Sequence, residues 1–384
     1  MTQALPFRLP APVGERVDLI VVAAEHSGDQ HAARMVRGVL AAEPEREVAA
    51  LGGPALAAAG AQVLEDLTAQ STMGFVVLGK LSFYRTLIAE VVRWVGEHQP
   101  RAVCFVDSSG LNLRIAKGLF EQGFSAKAGG PTKALYYISP QIWASRAKRR
   151  FQMAQQLDAL ASIFPFERDV YADTSLSVDF VGHPFVRPDY QPPVTYDPSG
   201  PVLLLPGSRQ GVVKRLFPVM LEAFASLGGT REAVTLYPSI GIIDTLRMAN
   251  PPSSVQLRPT GPAEGPVAAS AVLTTSGTMS MHCALAGIPG VVIYKTDPLT
   301  YWLGRVLVKV KWIGIANLLL KTEMYPEFIQ GAATAQTLVR ELKRALGNPE
   351  RIARTQVQAA QLRDLLSVDA ELTASGWMLG QLRT

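Results

Sequence analysis

The sequence predicts an α/β protein of two domains, each with a largely parallel β-sheet. The chain has 384 residues, 48% hydrophobic and 18% charged, so it can form two hydrophobic cores and is too apolar to be disordered. Short, continuous apolar runs alternate with amphipathic stretches, which is the pattern of parallel strands covered by helices on both faces. A proline-rich stretch at residues 188–201 has neither the helical nor the strand periodicity of apolar residues, which indicates an interdomain linker.

The elements follow the same order in both halves. In residues 1–187, after a proline-rich start that predicts a loose arm at 1–15, the apolar runs lie at 17–24, 48–51, 102–106, 133–138, 159–164 and 178–181. In residues 202–345 they lie at 202–205, 235–238, 255–257, 272–275 and 290–294. Residues 346–384 are helical in pattern, and we expect them to pack back on the first domain.

Composition narrows the classes of function. The net charge of +5 and the pI near 9.2 suit nucleic acid, anionic lipid or phosphorylated substrates alike. No nucleic-acid recognition motif accompanies this charge, so we predict no nucleic-acid partner. The two cysteines, Cys104 and Cys283, stand in apolar runs, which favours a reducing cytoplasmic setting over a disulfide framework. We see no signal peptide or transmembrane helix in the sequence.

Two acidic residues follow apolar runs of the first half. Glu25 comes directly after the run at 17–24, and Asp107 after the run at 102–106. Carboxyl ends of parallel strands meet at one edge of a sheet, so the two carboxylates predict a crevice with a general base and a positioning acid. The alternative for Asp107 is a helix cap, and Ser27 and Asp29 either contact a substrate or cap a helix.

Small residues follow two apolar runs of the second half. Gly207-Ser208-Arg209 follows the run at 202–205, and Ser276-Gly277-Thr278 precedes a short helix. Amide groups at a helix start and an arginine fork suit phosphate oxygens, although an ordinary N-cap is the alternative for Ser276. Neither P-loop nor GxGxxG spacing is present, so ATPase and dinucleotide-binding functions have little support.

Short motifs run through the chain in a fixed order. They are EHSGD at 25–29, GGP at 52–54, MGF at 73–75, Asp107 with NLR at 112–114, SPQIWA at 139–144, PFE at 165–167, VGHP at 181–184, LPGSR at 205–209, SGT at 276–278, PLTYW at 298–302, Asn317 and PEFIQ at 326–330. Together they resemble the lipid-A-disaccharide synthase family of glycosyltransferases. The resemblance implies the GT-B plan, in which two Rossmann-like domains face a cleft.

The resemblance also implies substrates and site residues. It implies inverting transfer from a UDP-activated acyl-glucosamine donor to an acylated glucosamine phosphate acceptor, without metal or cofactor, with Asp107 as base and Glu25 as a second acid. The implied donor and UDP contacts are Gly207, Ser208, Arg209, Ser276, Gly277, Thr278, His282, Asn317, Glu327 and Gln330. The implied acceptor contacts are Ser27, Asp29, Met73, Asn112, Gln141 and Trp143.

The sequence departs from the family pattern at several positions. His282 stands where the family usually has a glutamate that accepts from ribose, Gly110 replaces a second acid near Asp107, and Phe75 stands where a glutamate is usual. Ser145 and Ala316 replace a tryptophan and a proline. The alternatives are therefore a related glycolipid glycosyltransferase with another donor or acceptor, a UDP-sugar 2-epimerase-like protein, and a non-catalytic binding homologue.

Acylated substrates imply work at a membrane surface. Residues 301–312 interleave aromatic, aliphatic and basic side chains, a composition typical of a membrane interface, with a core helix as the alternative. A basic cluster at 146–150 is either a solvated face or a contact for phosphates or head groups. We predict a cytoplasmic protein at the inner face of the inner membrane, for which a homodimer is compatible with the sequence.

Overall fold

Two compact units make up the chain. The computed structural model describes residues 7–72, 77–229, 231–260, 264–296, 311–368 and 373–384. The first unit comprises Met1–Pro184 and Val368–Thr384, and the second comprises Phe185–Ser367. None of the helices in the described ranges is long and apolar enough to span a membrane.

A seven-stranded parallel sheet forms the centre of the first unit. Its strands are β1 (Leu19–Val22), β2 (Val48–Gly52), β3 (Gln62–Asp66), β4 (Ala102–Val106), β5 (Lys133–Tyr137), β6 (Ala159–Ser162) and β7 (Ser177–Phe180). The spatial order is β3-β2-β1-β4-β5-β6-β7. Every residue of β1, β2 and β4 is buried, because helices cover both faces of these central strands.

The helices that flank this sheet follow its strands in sequence. They are α1 (His26–Ala42), α2 (Pro54–Ala58), α3 (Leu67–Thr72), α4 (Val77–His98), α5 (Ser109–Glu121), α6 (Ile142–Ser145), α7 (Arg149–Gln156) and α8 (Glu167–Val170). The N-terminal arm is not loose from residue 7 onward. Leu9 is buried and its amide donates to Glu90 of α4 at 2.9 Å, while the Trp94 indole donates to the Pro10 carbonyl.

A six-stranded parallel sheet forms the centre of the second unit. Its strands stand in the order β11-β10-β9-β13-β14-β15, and β8 and β12 form a separate pair. The strands are β8 (Val194–Tyr196), β9 (Val202–Leu205), β10 (Ala233–Tyr237), β11 (Val255–Pro259), β12 (Val267–Ala269), β13 (Ala271–Thr275), β14 (Gly290–Tyr294) and β15 (Glu327–Ile329). The helices are α9 (Gln210–Ala225), α10 (Ile240–Arg247), α11 (Thr278–Leu285), α12 (Ile315–Leu320), α13 (Ala335–Gly347) and α14 (Pro349–Leu366).

The proline-rich stretch contains a strand, contrary to the expectation of an irregular linker. Within residues 188–201, β8 pairs in parallel with β12, and Val194 is fully buried. The carbonyl of Pro193 accepts from the amide of Val267 at 2.9 Å. Proline lacks a backbone N–H donor but keeps its carbonyl oxygen, so a proline next to a short strand can still accept a hydrogen bond from the neighbouring strand.

The predicted C-terminal block, residues 346–384, is divided between the units. Arg351 of α14 is buried in the second unit, where it pairs with Glu341 at 2.8 Å and donates to the Gly290 carbonyl at 2.8 Å. The last helix, α15 (Ala374–Arg383), packs against α1 of the first unit. Its Trp377 indole donates to Asp179 at 3.1 Å. A buried arginine is tolerated only where an acidic side chain and hydrogen-bond acceptors compensate its charge. Glu341 of α13 and the Gly290 carbonyl of β14 do this for Arg351, which keeps α14 in the second unit.

Candidate functional site

Glu25 and Asp107 lie at adjoining strand ends, as the sequence predicts. β1 and β4 pair in register, with Val22 opposite Phe105. Glu25 is exposed at the N-cap of α1, and Asp107 is half-buried immediately after β4. Burial raises the pKa of Asp107, and the negative charge of Glu25 raises it further. A carboxylate with a raised pKa accepts a proton more readily, which suits a general base.

The backbone at Asp107 takes an unusual turn. Asp107 and Ser108 have φ values of 50° and 38°, a left-handed conformation that non-glycine residues rarely adopt and that often marks functional sites. The Asn112 side-chain amide donates to the Asp107 carbonyl at 3.0 Å and to the Val106 carbonyl at 3.1 Å. The Tyr136 hydroxyl also donates to the Asp107 carbonyl. Asn112, predicted as an acceptor contact, is fully buried and instead holds this turn in place.

The two other residues predicted near Glu25 differ in exposure. Ser27 is exposed in the first turn of α1. Asp29 is fully buried, and its carboxylate accepts hydrogen bonds from the amides of Gly53, Ala55 and Leu56 at 2.8, 3.0 and 3.2 Å. Asp29 therefore caps the start of α2, which is a structural role that its prediction as an acceptor contact did not include.

Replacing Asp29 with alanine is expected to destabilise the first unit by roughly 2–4 kcal/mol, because three amide groups lose a charged acceptor. Urea unfolding followed by circular dichroism measures this loss. Ser27→Ala, in the same helix but exposed, is the matched control and should change the free energy of unfolding by less than about 0.5 kcal/mol. Equal stability of the Asp29 and Ser27 variants would contradict the capping role.

Two loops lie side by side in the second unit. Residues 207–209 follow β9 and residues 276–278 follow β13, and these strands pair directly. A Cβ atom on Gly207, whose φ is 103°, would lie 3.1 Å from the Thr275 hydroxyl oxygen. Glycine therefore permits both the left-handed turn and the close approach of the loops. The arrangement places the starts of α9 and α11 next to each other.

Charge and hydrogen-bond donors converge where these helices start. Arg209, the N-cap of α9, is exposed and forms no ion pair within the described ranges. Ser208 and Thr278 are exposed beside it. Ser276 is less available, because its hydroxyl donates to the Ile313 carbonyl at 2.6 Å. Helix starts and a guanidinium favour an anion here.

Asn317, Glu327 and Gln330 form hydrogen bonds to backbone groups in loops of the second unit. Glu327 accepts from the amides of Ile313 and Gly314 at 2.8 and 3.0 Å and from Asn317 at 2.8 Å. Asn317 is fully buried and also accepts from two backbone amides, those of residues 324 and 325. Gln330 forms two 3.1 Å hydrogen bonds with the backbone of Thr296. Although predicted as donor contacts, these side chains bond to the protein's own loops.

Comparison with known proteins gives the family. A family model described as lipid-A-disaccharide synthetase matches residues 19–375. A lipid-A-disaccharide synthase of Geobacter metallireducens is 34% identical over 371 residues, covering 91% of this chain and 92% of the relative. A lipid-A-disaccharide synthase of Nitrosococcus oceani is 33% identical over 368 residues, covering 92% of this chain and 93% of the relative. The chain belongs to the lipid-A-disaccharide synthase family. Its membership confirms the predicted resemblance and makes it a glycosyltransferase.

Solved structures confirm the fold class. The chain resembles CalG4, the calicheamicin glycosyltransferase, with a TM-score of 0.58, 14% identity and coverage of 96% and 99% of the two chains. It resembles a UDP-GlcNAc 2-epimerase from Neisseria meningitidis with a TM-score of 0.58, 11% identity and coverage of 95% and 99%. It resembles MurG of Acinetobacter baumannii with a TM-score of 0.50, 14% identity and coverage of 91% of this chain and 99% of MurG. At such identities the likeness shows only the fold, which is the two-domain α/β GT-B plan.

In this member of the lipid-A-disaccharide synthase family, His282 is packed among aromatic side chains, which the sequence did not predict. Its ring is buried and stacks on Phe185, with centroids 4.0 Å apart, and on Tyr190, with ring planes 3° apart. The Tyr190 hydroxyl lies 3.2 Å from Nε2 of His282. The predicted ribose contact would require a nucleoside to compete with this aromatic stack.

Two predictions for this lipid-A-disaccharide synthase family member fall outside the described residues. Met73 is one of them, and most of the segment at 301–312 is the other. At the described end of that segment, the Lys311 ammonium lies 4.2 Å from the centroid of the Trp312 ring. Within the ranges that the structure describes, no group of three or more histidine, cysteine or acidic side chains is placed to hold a metal ion.

A buried acid next to Trp143 has no counterpart in the predicted site. Gln141 is exposed at the start of α6, and the half-buried Trp143 donates from its indole to Glu167 at 3.3 Å. Glu167 is 1% exposed, and its other oxygen has no partner within the described ranges. Burial raises the pKa of Glu167 from 4.5 to about 8. The PFE motif is the only sequence signal for this residue.

Glu167→Gln is expected to make the stability of the fold less sensitive to a rise in pH between about 5 and 8. The folded protein retains a proton on Glu167 that the unfolded chain has lost, so the native chain loses stability as pH rises from 4.5 to about 8. Glutamine does not titrate. The stability of the variant relative to the native chain should therefore rise by roughly 3–4 kcal/mol between about pH 5 and 8. Urea unfolding at several pH values measures it, and a pH-independent difference would contradict it.

Proposed function

We propose that this protein transfers an acylated glucosamine from UDP to an acylated glucosamine 1-phosphate, forming the lipid A disaccharide and releasing UDP. Family membership and the names of the relatives support this reaction class. The observation that carries the proposal is the half-buried Asp107, held at a strand end beside Glu25 with a raised pKa. This is the setting that base-catalysed attack by a hydroxyl requires.

In the proposed reaction, Asp107 removes the proton of the attacking acceptor hydroxyl. The hydroxyl oxygen forms the new bond to the anomeric carbon as the bond from that carbon to the UDP oxygen breaks. UDP leaves with the electron pair of the broken bond, and the anomeric configuration inverts. The negative charge of Glu25 beside Asp107 favours protonation of Asp107 during the attack.

The second unit supplies the groups that stabilise the leaving diphosphate in this proposal. Arg209 offers a bidentate fork, and the starts of α9 and α11 offer amide groups and partial positive charge. Ser208 and Thr278 add exposed hydroxyl groups. These groups act on charge that grows as the bond to UDP breaks, so they stabilise the transition state more than the bound donor.

The acyl chains of both substrates place the reaction at a membrane surface. We propose that the protein works in the cytoplasm, bound peripherally to the inner face of the inner membrane. Trp312 and Lys311 are amphipathic side chains suited to the boundary between head groups and acyl chains.

A transfer assay with purified protein, UDP-2,3-diacylglucosamine and 2,3-diacylglucosamine 1-phosphate tests the proposal. Disaccharide and UDP should appear in equal amounts, and only when both substrates are present. Conversion of the UDP-sugar without any acceptor would instead indicate epimerase-like chemistry. Folded protein that binds UDP but forms no product would contradict the proposed reaction.

A further inference from the structure

Three arginines of the first unit share one surface without acidic partners. The Arg149 amide, at the start of α7, donates to the Arg146 carbonyl at 2.9 Å, so both residues belong to one turn. Arg114 lies on α5, which packs against α7. None of the three forms an ion pair within the described ranges. Their neighbour Arg150, in contrast, is paired with Asp173 through a 2.6 Å hydrogen bond.

The arginines are close enough to repel one another. The pKa of Arg149 is lowered first by burial and then by the positive charges of Arg146 and Arg114. Partial burial of like charges disfavours folding unless an anion compensates it. A phosphate group carries close to two negative charges at neutral pH and matches the planar forks of several guanidinium groups.

The cluster also lies near the proposed base. Arg149 lies near Tyr136, whose hydroxyl donates to the Asp107 carbonyl. α5 begins two residues after Asp107, and Arg114 lies roughly 8 Å along its axis from the helix start. A sugar whose hydroxyl meets Asp107 would therefore bring a phosphate on the same ring towards these arginines.

We propose that Arg114, Arg146 and Arg149 form a binding site for the phosphate monoester of the acceptor sugar. The inference rests on the proposed function and adds to it the residues that distinguish a phosphorylated acceptor from an unphosphorylated one. Its ligand is a phosphate monoester on the acceptor, whereas the diphosphate of the donor binds to the second unit.

Binding of glucosamine 1-phosphate to Arg149→Gln and Arg114→Gln, measured by calorimetry, tests the site without requiring catalysis. Each variant should weaken binding about 10- to 100-fold. Arg150→Gln, which alters an arginine that already has an acidic partner, is the matched control and should retain the native affinity. Removing a repelling charge should not lower the urea midpoint, which separates this role from a structural one. Unchanged binding in both variants would overturn the proposal.

Kinetic assays separate this inference from the proposed function. In Arg149→Gln, the KM for the phosphorylated acceptor should rise about 10- to 100-fold, with the KM for the donor unchanged. The preference over the dephosphorylated acceptor should fall by the same factor. If the native chain forms no disaccharide, the proposed function fails, whereas the binding experiment still decides on the phosphate site. The variants could instead lose their flotation with phosphatidylglycerol vesicles while binding glucosamine 1-phosphate as tightly as the native chain does. That result would indicate that the arginines contact a lipid surface, and it would overturn the proposal.

Discussion

Asp107→Asn is expected to reduce the rate of sugar transfer by roughly 10²–10⁴-fold, the usual contribution of a general base. The amide cannot take the acceptor proton, but it keeps the shape of the carboxylate. The loss should therefore appear in kcat, with little change in the KM of either substrate. Measuring kcat and both KM values from UDP release over a range of substrate concentrations provides the check.

The stability of the Asp107 variant separates chemistry from folding. Burial and Glu25 both disfavour the charged carboxylate, so Asp107→Asn should unfold at the same or a higher urea concentration. Asp158→Asn is the matched control. Asp158 is also half-buried, and burial also raises its pKa. It precedes β6, however, and so lies at the amino ends of the strands, whereas Asp107 lies at the carboxyl ends. If both variants lost activity equally, or if Asp107→Asn lost less than tenfold, Asp107 would not be the base.

Arg209→Gln is expected to lower kcat/KM for the donor by roughly 10²–10³-fold, comparable to removing one donor that stabilises charge in a transition state. Arg209 stands exposed where α9 starts beside the start of α11. Without its guanidinium, the growing charge on the departing diphosphate loses a bidentate, positively charged partner. Initial rates at varied donor concentration, together with calorimetric titration of UDP, measure both consequences.

Arg215 provides the control for Arg209. It is exposed on the same helix, beyond the turn that starts α9. Arg215→Gln removes the same charge from the body of α9 and leaves the N-cap position intact, so it should leave kcat/KM within about threefold of the native value. Similar losses in the two variants would indicate that general positive charge matters, and not the specific fork of Arg209.

The sequence was sufficient to place the strand ends but not to determine what their polar residues contact. Continuous apolar runs predicted β1, β4, β9 and β13, and pairing of parallel strands then brought Glu25 to Asp107. Asp29, in the first turn of α1, and Glu327, the first residue of β15, also lie close to strand ends, yet they bind backbone amides. A carboxylate accepts hydrogen bonds from the free amides of a helix start and from the hydroxyl groups of a ligand in the same way. Composition and spacing therefore cannot distinguish a capping acid from a ligand-binding acid.

Features formed by distant segments were the ones missed. β8 has three residues among prolines, and only its pairing with β12 makes it a strand. The arginine cluster depends on packing of α5 against α7, and residues 114 and 149 show no relation in the sequence. Likewise, the raised pKa of Glu167 results from complete burial, which the polarity of its helix does not suggest.

The anomeric configuration of the product tests the central claim most directly. Purified protein would be given the α-linked UDP sugar and the acylated glucosamine 1-phosphate, and the disaccharide would be analysed by NMR. A single displacement assisted by Asp107 predicts a β-linked disaccharide that is nearly absent with Asp107→Asn. An α-linked disaccharide, or β-linked product formed equally well by the variant, would contradict the account.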